Sequence, residues 1–439
     1  MVEVSAVSEV GNVGAVTSVD RASYFNGLLN LRSTNSPFQD IRDRAAASVH
    51  DRAIPSIRDE EWRFTDVSHL LTLTLRAAEP ARLGFPQIEA FLLPEATHSR
   101  LVFVDGIFAP DLSAIDNLPD GVMLSNLETA LELIPAVKDH IAKLPGEDEV
   151  FTALNTASLT DSAIVFVPRN QDVGSIHLLF VSTQAESLIQ PRVCVIAETG
   201  SRVTLIEDFV SLTEGAYFTN AVTEIAIAQN AEVRHTRVQR DSAAAFHIGK
   251  TAISQARDSR YSIAAINLGG KVARHNLDIY QTGEQTETTI NSLTVIDGDR
   301  VGDTHSLLSL SKPYGIGNQV NKTIVSDRAH AIFNGKVLVP QAAQQTDARQ
   351  LSRNLLLSPK ARVDTKPQLE IVADNVKCAH GATVSQLEDD EVFYLQSRGI
   401  DQESARKLLT YAFAIEIIDQ IPVATLRDRL SAFIRSQHT

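Results

Sequence analysis

The sequence predicts a mainly β protein whose long β core is flanked by an N-terminal mixed helical region and a C-terminal helical domain. Three observations carry this expectation. Between about residues 160 and 373, short runs rich in Val, Ile, Thr and Phe follow one another at close intervals. They include Ala163-Ile164-Val165-Phe166-Val167, His177-Leu178-Leu179-Phe180-Val181, Val193-Cys194-Val195-Ile196, Val203-Thr204-Leu205-Ile206, Ala221-Val222-Thr223-Glu224-Ile225-Ala226-Ile227 and Tyr261-Ser262-Ile263-Ala264-Ala265-Ile266. No long helical pattern intervenes, which argues against alternating strands and helices around a parallel sheet. At both ends of the chain, by contrast, apolar residues recur at helical spacing. Corners such as Glu198-Thr199-Gly200-Ser201 and Gln229-Asn230-Ala231-Glu232 recur without a strict period. That suits the irregular coils of a β-helix and, equally, a β-sandwich.

In chain order, residues 1–18 are small and polar with scattered valines, as expected of a flexible N-terminus. Residues 19–150 form the N-terminal α-rich region. Phe38, Ile41, Ala45 and Val49 share helix spacing, and Trp62 and Phe64 read as packing anchors. Leu101-Val102-Phe103-Val104-Asp105-Gly106-Ile107-Phe108 reads as a hairpin, with Asp-Gly supplying the positive φ angles of a tight turn. A helix is expected over about 125–144 from the stripe Leu127, Ala130, Leu131 and Ile134. The β core is assigned to residues 151–375, and Leu268-Gly269-Gly270-Lys271 within it reads as a turn rather than a phosphate cradle. Residues 376–439 form the C-terminal helical domain. There Asp401 caps a helix whose stripe is Leu408, Tyr411, Ala412, Ile415 and Ile418, Pro422 interrupts, and Leu426, Leu430, Phe433 and Ile434 mark a last amphipathic helix.

Composition bounds the function. The chain of 439 residues is 44% hydrophobic, enough for one large core, and its net charge of −14 argues against a nucleic-acid binder, which needs clustered Lys and Arg. Two cysteines exclude a disulfide framework and suit a reducing compartment. No apolar run reaches the roughly 20 residues of a membrane helix. With no basic residue before Arg21 to head a leader, a cytoplasmic protein is expected. There is no Gly-x-x-x-x-Gly-Lys-Ser/Thr loop, so any ATP hydrolysis should belong to a partner.

Asp374-Asn375-Val376-Lys377-Cys378-Ala379-His380-Gly381-Ala382-Thr383-Val384 is the segment that carries chemistry. On an extended strand, Cys378 and His380 lie on one face roughly 6.5–7 Å apart. Thiolate and imidazole together suit iron, iron–sulfur or zinc, but two ligands are half a site, so others must come from elsewhere, plausibly another chain. The bland alternative is a small buried thiol beside a satisfied histidine. Cys194, inside an apolar run, reads as buried and inert, and His235, His247, His275, His305 and His330 read as structural polar residues.

The stretch from Phe333 to Ile400 contains Phe333-Asn334-Gly335-Lys336-Val337, Leu355-Leu356-Leu357, Asp364-Thr365-Lys366-Pro367-Gln368-Leu369-Glu370-Ile371, the Cys378 segment and Phe393-Tyr394-Leu395-Gln396-Ser397-Arg398-Gly399-Ile400. In order and spacing it closely resembles the SufB/SufD family of iron–sulfur cluster assembly scaffolds, and within it the SufD subunit. Upstream, Glu61-Trp62-Arg63-Phe64-Thr65-Asp66 looks like that subunit's N-terminal signature. The Cys-x-His-Gly-Ala-Thr pattern and the scarcity of cysteines separate the chain from the SufB type. The resemblance selects the β-helix over the sandwich.

It further implies a non-enzymatic scaffold that pairs with a SufB-type paralog, and with itself when isolated. A SufC-type ATPase would dock on the C-terminal helices, here on Leu408, Tyr411, Ala412, Ile415 and Ile418. His380 would be the main ligand to iron or a nascent cluster shared with the partner, with Cys378 a second ligand. A reduced flavin associates with the family's complex, although no residue here marks a flavin pocket. Two other functions remain: a purely structural adaptor, and a β-helix carbohydrate-active enzyme, which would need paired carboxylates across a groove.

Overall fold

The computed structural model describes residues 20–32, 38–50 and 52–436, so the flexible end expected for 1–18 lies outside the described residues. Its centre is a β-helix in which each coil gives one strand to each of two parallel sheets, one of 11 strands and one of 10. In the first sheet Phe218, Phe246, Val272, Val301, His330 and Arg362 are neighbours in turn. In the second the column is Arg202, Glu232, Arg260, Glu287, Ile316, Asp347 and Lys377. The coil length therefore drifts between roughly 26 and 32 residues, within the range of solenoid repeats but without a fixed period.

The irregular corners are one structural position. Asn170, Gly200, Asn230, Asp258, Gln285, Tyr314 and Gln345 all have φ between 56° and 72°. Each backbone N–H in this series donates to a carbonyl of the next coil, as Gly200 does to Gln229 and Asn230 to Arg257, both at 3.0 Å. Left-handed backbone favours Gly and Asn, which explains why the corners look alike in composition but not in sequence. The turn Leu268–Lys271 is likewise a corner, with Gly270 at φ 88°.

Alternate strand residues face the lumen and pack as the main core. The outer face of the second sheet is covered by the helices Gln402–Ile418 and Ala424–Ser436, through Ile206, Val238, Ile266, Leu293 and Ile324 against Ala414, Ile417, Leu426 and Leu430. The outer face of the first sheet is covered by the N-terminal layer, where Phe25, Val49, Trp62 and Phe151 pack on Phe218, Phe246 and Val272. Arg192, with no exposed side-chain surface, pins this layer: its guanidinium donates to Glu224 (2.6 Å), Glu147 (2.8 Å) and Thr156 (2.7 Å).

Several expectations need adjusting. The hairpin is as expected, with Phe103 opposite Phe108 and both Asp105 and Gly106 at positive φ. The helix expected over 125–144 is only Leu127–Leu133, because Pro135 has no N–H to continue it. Phe38, just before the helix Gln39–His50, and Arg42, Ala46 and Val49 within it are buried, one position away from part of the expected stripe. The β-helix does not end at residue 375: Lys377–Ser385, assigned to the C-terminal helical domain from its sequence, is the final strand of the second sheet.

Candidate iron-binding end of the β-helix

Cys378 and His380 sit on this final strand. They pair in register with Ala348 and Gln350 of the preceding coil. Ala348, Gln350 and Ser352 are buried, whereas the alternating Arg349, Leu351 and Arg353 are exposed. In-register parallel neighbours point the same way, so Cys378 and His380 both belong to the lumenal face. Cys378 packs against the lumenal core and is partly buried, and burial pushes its thiol above the ordinary range. His380 is exposed, Lys377–Ser385 being the last strand of its sheet among the described residues.

The lumen changes character along its length. At the N-terminal end one column is Phe103, Phe180 and Phe209, with Phe180 stacked on Phe209 at 4.9 Å. The same column continues as Gln239, Asn267, Thr294, Thr323 and Asn354. In mid-lumen, Glu207 bonds His235 (2.8 Å), His235 bonds Tyr261 (3.0 Å) and Asp241 bonds His247 (2.8 Å), all fully or nearly fully buried. Burial lowers the pKa of His247 despite Asp241, and that of His275 strongly. These histidines are the satisfied polar residues expected. Nearer the open end come Ser306, Gln319, Asn321, Gln350 and Ser352, linked by hydrogen bonds. Sequence reading missed this inner stripe, since it exists only through the register of coils of unequal length.

Among the described residues no group of three or more His, Cys, Asp or Glu is arranged to hold a metal. Cys378 and His380 are the chain's own soft donors at this end, and they fit a thiolate- and imidazole-binding cargo only as part of a shared set. Cys194 is buried between the first sheet and the N-terminal layer, its thiol pushed up by burial, and takes no part.

The residues assigned to partner docking are split. Leu408 (46% exposed) and Ala412 face outward, Tyr411 and Ile415 are half-buried, and Ile418 is fully buried against the second sheet. Ile418 therefore serves the chain's own packing. Phe393 (69%) and Tyr394 (57%), on the neighbouring helix Asp389–Ser397, present apolar surface that the helical stripe alone did not reveal. Lys322 locks the long helix to the sheet by donating to the Phe413 carbonyl (2.9 Å) and to Glu416.

The N-terminal signature wraps onto the coils. The Arg274 guanidinium stacks 3.9 Å from the Trp62 ring centre and donates to Asp303 at 2.8 Å, while Thr65 also donates to Asp303. Trp62 is the packing anchor expected; Phe64 is more exposed, at 37%.

A two-sheet β-helix clasped between helical layers, with a Cys-x-His pair at its open end, defines a class, and comparison with known proteins agrees. The profile described as SUF system FeS cluster assembly, SufBD core domain, matches residues 180–413, and the SufBD protein N-terminal region matches 26–176. The chain belongs to the SufBD family of iron–sulfur cluster assembly proteins. It is 47% identical to the iron–sulfur cluster assembly SufBD family protein slr0076 of Synechocystis, over 89% of this chain and 88% of that one. It is 35% identical to the Escherichia coli iron–sulfur cluster assembly protein SufD, over 87% and 88%. It is also 35% identical to the chloroplastic protein ABCI7 of Arabidopsis thaliana, over 90% and 85%.

Proposed function

We propose that this chain is a SufD-type scaffold that joins a SufB-type paralog end to end and contributes His380 and Cys378 to a site where iron or a nascent cluster is held. The observation that carries this reading is the placement of both donors on the inner face of the final, uncovered coil. The strands Arg362–Ile371 and Lys377–Ser385 end their sheets with free edges, and a free edge is a template for another chain's strands. A second β-helix meeting this end would supply the missing ligands and enclose the cargo.

In this arrangement the chain's own part is simple. The Cys378 thiol loses its proton on binding, favoured when the approaching metal offsets the effect of burial. His380 offers one ring nitrogen as a neutral ligand. A SufC-type ATPase on Phe393, Tyr394, Leu408 and Ala412 would move this end relative to the partner, the C-terminal helices being fixed to the second sheet. The chain itself is assigned no catalytic residue, and a reduced flavin, if present in the complex, is not assigned a site on this chain.

The test is iron and acid-labile sulfide content, with the visible spectrum, of the anaerobically purified complex with both partners. Wild type is compared with His380→Ala and Cys378→Ala at matched subunit ratios. Loss of cluster with assembly intact is expected, most completely for His380→Ala. Full cluster content in both variants would reduce the chain to a structural adaptor.

A further inference from the structure

Gln350 is the in-register neighbour of His380 on the adjacent strand and is only 2% exposed. Its Nε2 donates to Gln319 Oε1 at 2.8 Å, and Gln319 Nε2 donates to Ser306 Oγ at 2.7 Å across the lumen. Ser306 thus orients one amide and that amide orients the next. Because Nε2 is committed to Gln319, Oε1 of the same planar group points elsewhere and is left for another donor. That oxygen is buried and has no hydrogen-bond donor. Buried acceptors are rarely left without one, since desolvation is then uncompensated.

The backbone opposite is shaped for this amide. A Cβ at Gly335 would stand 2.2 Å from Gln350 Nε2, so the glycine of Phe333-Asn334-Gly335-Lys336-Val337 leaves the space the carboxamide occupies. The strand spacing of about 4.8 Å puts an inward-turned imidazole at position 380 within reach of Oε1.

We propose that Gln350 is the positioning residue for His380: its Oε1 accepts the imidazole N–H on the side away from the cargo and so leaves the other ring nitrogen free to bind iron. This rests on the cargo site proposed above. The physical reason is general: a metal-binding histidine holds its tautomer and ring direction through the hydrogen bond made by its second nitrogen. Ser306, Gln319 and Gln350 then form a relay of fixed dipoles whose last acceptor is the one left open for the imidazole.

The experiment loads the complex of this chain with both partners with ferrous iron anaerobically and follows iron release to a ferrous chelator. Gln350→Met keeps the bulk but removes the acceptor. Release about 10-fold faster or more is expected for Gln350→Met, with Gln319→Met between it and wild type. Combined with His380→Ala, Gln350→Met should add nothing further, because its effect passes through the imidazole. Thermal unfolding of each variant checks folding. If Gln350→Met releases iron as wild type does, or accelerates release equally when His380 is already alanine, the positioning role is refuted and the cargo site stands. If His380→Ala and Cys378→Ala both retain iron like wild type, the cargo site falls and the positioning role falls with it.

Discussion

The two ends of the β-helix are built by different rules. At the N-terminal end the sheets finish in short antiparallel strands, Met123–Asn126 on one and Ile107–Phe108 on the other, and the lumen is filled by stacked phenylalanines. Turning the last strands antiparallel and keeping them short protects the edges. At the C-terminal end two long parallel strands stop without a neighbour among the described residues, the lumen is lined by amides and hydroxyls, and Ile371, Val372 and Val384 are exposed. The first end is built for stability. The second forgoes burial and leaves an edge, part of an inner surface and the His380 side chain open.

The comparison predicts that substitutions should separate stability from assembly according to the end they touch. The largest stability effect belongs to Arg192→Met, which leaves Glu224 and Glu147 without their buried cation. A loss of about 3–5 kcal/mol in urea unfolding is expected, whereas His380→Ala should stay within about 0.5 kcal/mol of wild type. Equal effects at the two positions would erase the distinction.

A smaller, pH-dependent effect is expected at the Trp62 clasp. Burial disfavours the Asp303 carboxylate, but His305 and Arg274 outweigh it and hold the carboxyl at about 2, below the ordinary 3.8. A depressed folded pKa means that its contribution, about 2 kcal/mol, is complete above pH 3.8 and is lost as pH falls toward 2. The stability gap between wild type and Asp303→Asn should therefore narrow as pH falls below 3.8, and also narrow as pH rises above 6.5 through the raised pKa of His305, whose charged form Asp303 favours. Fluorescence of Trp62, the sole tryptophan, reports the local change. A gap that widened below pH 3.8 would contradict the assignment.

At the open end, Val384→Lys should change stability by less than about 0.5 kcal/mol yet weaken association with the SufB-type paralog proposed above, read by sedimentation of the mixed subunits. Undiminished association would place the partner elsewhere. The smallest perturbation compares the two thiols. Brief alkylation of the isolated native chain at pH 8 should modify Cys378 slowly and leave Cys194 untouched until unfolding, as peptide masses would show.

How much of this was legible in the sequence follows from the range of each signal. Local chemistry could be read directly: Asp-Gly at the hairpin, Asp401 accepting from Ser404 N–H as a helix cap at 2.9 Å, and Cys378 with His380 on one face. Ile418 belongs to the same helical stripe as Leu408, but which end of the stripe is buried depends on how the helix lies across the sheet. Gln319 and Gln350 carried no sequence signal, because each gains its role from a residue one coil away. The strand Lys377–Ser385 was placed outside the β-helix because, with one face and one edge free, it lacks the apolar alternation of the coils before it.

The Trp62 clasp also bears on how the chain is made. Thr65 and Asp303 are 238 residues apart, and Glu95 accepts from the Thr425 N–H across 330. Coils can add one upon another as the chain emerges, but the N-terminal layer cannot finish docking until residue 303 has left the ribosome. At 5–20 residues per second that is an interval on the order of 10–50 s. During it the outer face of the first sheet, including Phe218 and Phe246, awaits its complete cover, and a chaperone acting on this protein would find its task there.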